Sequence, residues 1–222
     1  MTTKDKKTVN TPSIELTDEK MTNNYNVVLY RIRALRNIHG NGFTIDAGTI
    51  GGWVESVYLD NGELRLQGDS WILEDGQVWG NAQLRDRALI DAMAQVKDNA
   101  VVSGTSVVKG SATVRKNAII QGHSTVANRA IVSGNAVIQD SLILDETRVD
   151  NNARVINSSL MGDTLLLHNA SIMRSTIEGH GLMGGYVIVE SSEIELGWED
   201  KYLNREVILD SVVHLPFLKS EQ

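Results

Sequence analysis

Small residues and branched aliphatic residues recur with a period of six along residues 70 to 141 of this chain. One column of the repeat contains only small residues: Ser70, Gly76, Ala82, Ala88, Ala94, Ala100, Ser106, Ala112, Ala118, Ser124, Ala130 and Ala136. A second column, two residues further on in each unit, contains only branched aliphatics: Ile72, Val78, Leu84, Ile90, Val96, Val102, Val108, Val114, Ile120, Val126, Val132 and Ile138. Residues i and i+2 of a strand point to the same side, so both columns are predicted to face the interior.

A third column of the same repeat predicts the turns of the chain. Two residues after each aliphatic, nine of the twelve units have Gly, Asp or Asn, and only Glu74, Ala92 and Lys116 break this column. Gly, Asn and Asp tolerate positive φ, so the chain is predicted to turn a corner once per unit. A short strand followed by a corner every six residues is typical of a β-solenoid and does not fit the period of a helix.

The repeat units GNAQL, DNAVV and SGNAVI resemble those of hexapeptide-repeat proteins, which fold as a left-handed parallel β-helix. In that family three hexads make one triangular coil, so twelve units imply four coils between Ser70 and Ser141. The resemblance implies an all-β fold, a single-stranded left-handed parallel β-helix (β-solenoid) with an N-terminal strand lead-in and an irregular C-terminal cap. The blocks VVLYRIRAL, GTIGGWVES and LQGDSWI also resemble the YdcK-like branch of this superfamily, whose members are labelled acyltransferases.

Four segments are predicted along the chain. Residues 1–25 are polar and without periodicity, and they are expected to form a flexible N-terminal arm. Residues 26–69 contain a strand-like stretch and a Gly-rich region, expected to lead into the first coil and cap it. Residues 70–178 are assigned to the hexapeptide-repeat β-helix, and residues 179–222 to a C-terminal cap that contains ordinary strands.

The register of the repeat changes after Ser141. The inward columns are predicted to resume one residue early, with Thr147 and Val149 as one inward pair and Ser159 and Met161 as another. About two more coils are expected before the pattern ends near Gly179.

The composition fits a narrow aliphatic interior and excludes several classes of protein. The chain of 222 residues has no Cys, 2 Phe, 4 Trp and 5 Tyr, and its formal net charge is −7. The absence of Cys excludes disulfides, thiolate metal sites and cysteine nucleophiles. The acidic balance argues against nucleic acid as a partner, and no apolar run is long enough for a membrane span or a secretory signal. The protein is therefore expected in the cytoplasm, or in a particle assembled there.

The outward positions, sorted by coil, form three faces, of which two have an apolar stripe. The first face is predicted to present Trp71, Leu89, Val107 and Ile143, the second face Val101, Ile119 and Val137, and the third face Gln77, Gln95, Thr113 and Ile131. Contiguous exposed apolar surface usually marks an interface, so we expect a homo-oligomer, and the resemblance implies a trimer. Two alternatives are that the β-propensity of Val and Ile alone explains the stripes, or that a terminal segment packs over one of them.

Two histidines are candidates for chemistry. The resemblance to acyltransferases implies a His general base at an inter-subunit cleft and an acyl-CoA such as acetyl-CoA as cofactor. His123 lies at a corner and also suits a polar corner role, while His180 lies in the Gly-rich segment GHGLMGG, which also suits an irregular capping loop. A zinc site of the carbonic anhydrase type needs two His close in sequence, and the nearest pair, His168 and His180, is twelve residues apart. No metal site is therefore predicted.

The regular repeat, without inserted loops between residues 70 and 141, favours a protein without catalytic machinery. The leading hypothesis is a non-enzymatic oligomeric β-solenoid, a structural or interaction module of bacterial or phage-like origin that needs no cofactor. The N-terminal arm or the end loops are the expected contacts for a protein partner. The alternative hypothesis is an acyl-CoA-dependent acyltransferase with His123 or His180 as the base.

Overall fold

The N-terminal region of the chain forms antiparallel strands. A computed structural model describes residues 11–196, 202–204 and 207–214, and these residues contain no helix. The lead-in strands are β1 (Ile14–Thr22), β2 (Val28–Ala34), β3 (Ile38–His39), β4 (Thr44–Ile45) and β5 (Ile50–Val54). β1 pairs antiparallel with β2, and β2 pairs antiparallel with β5. The prediction of a flexible arm is therefore wrong for β1, while residues 1–10 of that arm lie outside the described residues.

The remaining strands are short and follow one another around a coil. Those up to the end of the six-residue repeat are β6 (Trp71–Ile72), β7 (Gln77–Val78), β8 (Gln83–Leu84), β9 (Leu89–Ile90), β10 (Gln95–Val96), β11 (Val101–Val102), β12 (Val107–Val108), β13 (Thr113–Val114), β14 (Ile119–Gln121), β15 (Thr125–Val126), β16 (Ile131–Val132) and β17 (Val137–Gln139). The later ones are β18 (Leu142–Ile143), β19 (Arg148–Val149), β20 (Arg154–Ile156), β21 (Ser159–Leu160), β22 (Asp163–Leu166), β23 (Ser171–Met173), β24 (Thr176–Gly184), β25 (Ile188–Glu190), β26 (Glu193–Leu196), β27 (Tyr202–Asn204), β28 (Val207–Leu209) and β29 (Val212–His214).

Each coil pairs in parallel with the next, which gives a prism with three faces. The second face is a sheet of eight strands, one per coil: β8, β11, β14, β17, β20, β23, β25 and β28. Strands such as β9, β12 and β15 form the first face, and strands such as β10, β13 and β16 form the third. The long β24 turns the corner between them, because it pairs with β21 at its start and with β22 at its end. The predicted all-β, parallel β-solenoid is thereby confirmed.

The predicted inward columns fill the interior, and the predicted corners turn. From Ser70 to Ile138, all twelve small and all twelve aliphatic residues are buried. The corner residues adopt positive φ even where the sequence breaks its own pattern, with 47° at Glu74, 55° at Ala92 and 58° at Lys116. Side chains other than Gly, Asn and Asp adopt this conformation at a cost, so closure of the coil overrides local preference at these corners.

The coils shorten from 18 to 17 residues after β17. Strand partners are 18 residues apart at Val101 and Ile119 but 17 apart at Thr125 and Leu142. The missing residue comes from the corner between the second and first faces, which we call the serine corner. In each shortened coil a residue with φ between 47° and 50° is followed directly by a serine: Ser141, Ser158, Ser175, Ser192 and Ser211.

This shortening recurs in every later coil, which corrects the predicted register. Ser158 and Leu160 are the buried pair, while Ser159 and Met161, the predicted inward pair, are half-buried on the outside. The prediction allowed for a single slip, whereas the loss of one residue per coil moves the inward positions again at each serine corner.

A buried ladder of hydrogen bonds holds the serine corner. The hydroxyl of Ser158 donates to the carbonyl oxygen of Ile156 at 2.7 Å and accepts the backbone N–H of Ser175 at 3.1 Å. The same acceptor pattern links the serines in sequence from Ser124 to Ser211. Each hydroxyl thus satisfies two buried backbone groups that the tight corner leaves without a strand partner.

Asparagines form a second ladder at the corner between the third and second faces, which we call the asparagine corner. The Nδ2 of each donates to the Oδ1 of its equivalent one coil later, at distances between 2.9 and 3.3 Å. The ladder contains Asn81, Asn99, Asn117, Asn135, Asn152 and Asn169. His123 lies at the serine corner instead, so it is not a member of this ladder.

The N-terminal strands cover the base of the first face. Trp71 was expected to point to solvent, but its exposed fraction is 0% and it belongs to the main core cluster with Ile14 and Ile32. The register of Trp71 with Leu89 shows that it occupies an outward position of the coil. The outward prediction for Trp71 is therefore correct for the coil alone and wrong for the protein, because the lead-in packs over it.

Trp79 is also buried, by the turn between β1 and β2. Its exposed fraction is 5%, and it packs in a small cluster with Leu29 and Trp53. Tyr25, in the turn, lies 5.7 Å from Trp79 between ring centroids, and the ammonium of Lys97 lies 3.4 Å from the centroid of the Tyr25 ring. A cation–π contact of this kind stabilises the hairpin against the coil.

The predicted C-terminal cap is replaced, in the described part of the chain, by further coils. β25 and β28 extend the second face in parallel, and β26 and β29 extend the first face. Residues 179–222 were expected to contain ordinary strands outside the solenoid, and this is wrong for these strands. The six-residue pattern hides them because their coils follow the shortened period.

Replacing a serine of the ladder is expected to destabilise the solenoid. Ser158→Ala removes the acceptor of one buried N–H and the donor to one buried carbonyl, which costs about 1–3 kcal/mol. Ser159→Ala is the matched control, because this neighbouring hydroxyl is half-buried and bonds to no other described residue, and surface changes of this kind stay within about 0.5 kcal/mol. Thermal unfolding of both variants tests this, and equal losses would contradict a role for the ladder.

Candidate functional site

His123 lies at the serine corner, on the last coil of full length. Its side chain is 79% exposed, and its Nδ1 lies 3.4 Å from Oδ1 of Asp140 in the next coil. The backbone N–H of His123 donates to the same carboxylate oxygen at 2.9 Å. Asp140 can thus orient the imidazole in the way that a general base requires.

The carboxylate of Asp140 is held in its ionised form by hydrogen bonds. The backbone N–H of His123 and the side-chain amide of Gln139 lower the pKa of Asp140 below its ordinary value, against the opposing effect of desolvation. An ionised carboxylate beside Nδ1 favours the tautomer that has its proton there. The Nε2 atom is then the basic nitrogen of His123.

A polar groove of about 380 Å³ opens beside His123 and Asp140. Side chains of the first face and of the serine corner line it, mostly with hydroxyl or amide groups: Thr125, Ser159, Thr176, Asn157, Arg174 and the apolar Leu142. The guanidinium of Arg174 is paired with the carboxylate of Glu190. The groove is therefore polar but offers no unpaired cationic side chain among these residues.

His180 lies on a different edge of the prism. It is part of β24, and its Nδ1 lies 3.7 Å from Oδ2 of Asp163 one coil earlier. The expected irregular loop is wrong because β24 runs unbroken through the glycines. A Cβ at Gly179, whose φ is 112°, would lie 2.0 Å from the carbonyl oxygen of Leu196, so glycine is needed there for the close approach of coils. The two candidate histidines are not brought into one site.

The predicted stripe on the second face is outward and stacked in register. Val101, Ile119 and Val137 lie one above another in consecutive coils, and Ile119 is 36% exposed. Their role in an interface stays a prediction.

The apolar surface of the second face continues into the shortened coils. Ile156 pairs with Met173 one coil later, both half-buried, and Ile188 beyond them is 38% exposed. Sequence reasoning missed these residues because it placed Met173 in the interior. The spacing of 17 between Ile156 and Met173 was the signal that could have found them.

The first face differs from its prediction at both ends. Ile143 is fully buried, not outward, because Leu142 pairs with Thr125 after the coil shortens. At the base, Leu89 packs against the core cluster, so the alternative that a terminal segment covers one stripe is confirmed there. Val107 is half-buried and outward, and its role in an interface stays a prediction.

A second cavity, of about 510 Å³, lies beside a buried arginine that has no sequence signal. Arg65 is 1% exposed and donates to the carbonyl oxygens of Ser56 at 2.9 Å and of Gly80 at 2.8 Å. Burial lowers the pKa of Arg65 to about 10, an effect that the nearby carboxylate of Glu55 opposes. Arg65 therefore keeps its charge at neutral pH and fastens the loop after β5 to the next coil.

The comparisons and the side-chain geometry assign no known chemistry. Among the described residues, no three His, Asp or Glu side chains gather so as to hold a metal ion. No helix in the described ranges is long and apolar enough to cross a membrane. No protein-family model matches the chain, and no curated protein matches it significantly. The hexapeptide-repeat superfamily and its YdcK-like branch thus stay a resemblance.

Replacing Asp140 is expected to change stability in a pH-dependent way. Because the pKa of Asp140 is lowered on folding, its stabilising effect is present above the unfolded value of about 3.9 and is lost as pH falls through the folded value. Asp140→Asn should lower the Tm at pH 7 by roughly 2 °C, since the acceptor charge is lost. Calorimetry across pH tests this. A difference that stays equal at pH 7 and in strong acid would contradict it.

Proposed function

We propose that the chain is a non-enzymatic structural or interaction module that assembles with copies of itself through the second face. The observation that supports this most directly is the apolar stripe along that face: Val101, Ile119, Val137, Ile156, Met173 and Ile188. Contiguous apolar surface of this kind usually marks an interface between proteins. Polar residues would be expected there if the face contacted only water.

The size of the second face suits a stable interface. Its eight strands, spaced by about 4.8 Å, make it about 35 Å tall, and one side of the triangle is about 17 Å wide. The face therefore offers roughly 600 Å² per protomer. A standard interface buries about 800 Å² per partner, which the face and its adjoining corners can supply.

The N-terminal end of the prism favours side-by-side packing. The strand β1 is interrupted by a bulge between Leu16 and Lys20, with Asp18 and Glu19 exposed in it. Charged and bulged edge strands are poor templates for another chain. Lateral association of prisms is therefore the mode of assembly that we propose, with three copies as the resemblance implies.

Ile119→Lys is expected to dissociate the assembly. A lysine at the centre of the stripe places a charge in a desolvated interface, which is costly. Light scattering should change from a multiple of the 24.4 kDa protomer mass to the protomer itself. Thr113→Lys, at the outward position of the same coil on the third face, is the matched control and should keep the assembled mass. A mass unchanged by Ile119→Lys would refute the assignment of this face.

One observation favours a second candidate function, that of an acyl-CoA-dependent acyltransferase. His123 is oriented by Asp140 at the mouth of the groove of about 380 Å³. In this role Nε2 would accept the proton of an acceptor hydroxyl or amine as that group attacks the thioester carbonyl, and the CoA thiol would leave. His180 lies near a carboxylate too, but on another edge.

Titration with acetyl-CoA distinguishes the two functions. If the chain is a structural module, calorimetry detects no binding at millimolar ligand. Saturable micromolar binding that is lost in His123→Ala, and kept in His180→Ala, would instead establish the acyltransferase and overturn the proposal. The assembled mass is measured on the same samples, so that loss of binding through loss of assembly is recognised.

A further inference from the structure

A long trough runs along the serine corner. The cavity of about 380 Å³ beside His123 and a second one of about 450 Å³ share Arg174 and Thr176, so they adjoin. Together they extend from His123 to Ser211, five coil steps along the prism. At about 4.8 Å per coil this is a trough about 24 Å long.

The shortened coils create the trough. In the coils of full length, Arg87, Thr105 and His123 stand between the positive-φ residue of this corner and the inward small residue that follows. In the shortened coils that outward residue is missing, since Asp140 is followed directly by the inward Ser141. The edge of the prism is therefore hollow from the coil after His123 onward.

The wall of the trough offers hydroxyl groups at a regular spacing. Thr125, Ser159 and Thr176 lie one coil or two coils apart on the first face, half-buried, and their hydroxyls bond to no other described residue. Leu142 lies between the first two and adds an apolar surface. The hydroxyls of the serine ladder, by contrast, are already bonded to the backbone.

The chemistry of the trough disfavours a polyanion and an added β-strand. Its carboxylates include Asp140, Glu193 and Asp210, while the guanidinium of Arg174 is paired with Glu190. The backbone N–H groups of the wall are bonded to the next coil, as Ser159 N–H is to Ser175 O at 2.9 Å. A peptide could not add to the sheet there, because strand addition needs free backbone groups.

We propose that this trough binds a neutral linear oligosaccharide lying along the prism edge. Such a ligand has hydroxyls that can pair with Thr125, Ser159 and Thr176, and apolar C–H faces that can pack on Leu142. The rise of about 4.8 Å per coil is comparable with the length of one pyranose unit in an extended glycan. The proposal does not depend on assembly through the second face, which is another side of the prism.

Methyl NMR of the full chain tests the proposal with maltohexaose, cellohexaose and N-acetylchitohexaose as probes. At least one of the three should shift the Leu142 methyl resonances saturably at millimolar concentration, while those of Leu165 on the third face stay unchanged. Thr176→Trp fills the place where the two cavities adjoin, so it should weaken binding at least about tenfold. Thr113→Trp, the same exchange at an outward position of the third face, should leave binding unchanged.

Three outcomes would overturn the proposal. They are no shift of Leu142 with any of the three hexasaccharides, equal binding by Thr176→Trp and wild type, or binding that falls steeply with added salt, which indicates an ionic ligand. Binding of an unstructured peptide at the same resonances in place of the sugars would also overturn it. Light scattering of Thr176→Trp is expected to show the wild-type mass, so a failure here is distinguishable from failure of self-association.

Discussion

The parallel hydrogen-bond ladder between successive coils is the constraint on which the rest of the molecule depends. Each strand donates to the coil that follows, as Val101 N–H does to Ala118 O at 3.0 Å. The ladder fixes the distance between coils, so each residue lies directly over its equivalent one coil later. The triangular interior is narrow, and a small residue followed by a branched aliphatic fills it on each side.

Stacking in register makes like side chains meet, and this gives the outer surface its character. At the asparagine corner it produces an amide ladder, as between Asn117 and Asn135 at 2.9 Å. On the second face it joins single apolar residues into the continuous stripe that supports self-association. The same cause, repetition at one spacing, therefore generates the ordered corners and the candidate interface.

The loss of one residue per coil has consequences at three levels. It tightens one corner, where the serine ladder replaces the strand pairing of the backbone. It moves Leu142 outward and Ile143 inward, which changes the surface of the first face. It also leaves the hollow edge beside His123, where Asp140 accepts the His123 N–H and the trough begins.

The sequence by itself determined the solenoid, its inward columns between residues 70 and 141 and its corners. It could do so because strand alternation and corner placement are local properties that a fixed period repeats. It also determined the outward positions of Val101, Ile119 and Val137. Those positions follow from the same alternation.

Only the tertiary structure decided which corner shortens, what covers Trp71 and which residue orients His123. These features depend on contacts between residues far apart in the chain, such as Ile32 with Trp71 and Asp140 with His123. A period of six also cannot reveal that one residue is lost again in every coil. The outward residues Ile156 and Met173, and the trough along the serine corner, could therefore be recognised only from the folded coils.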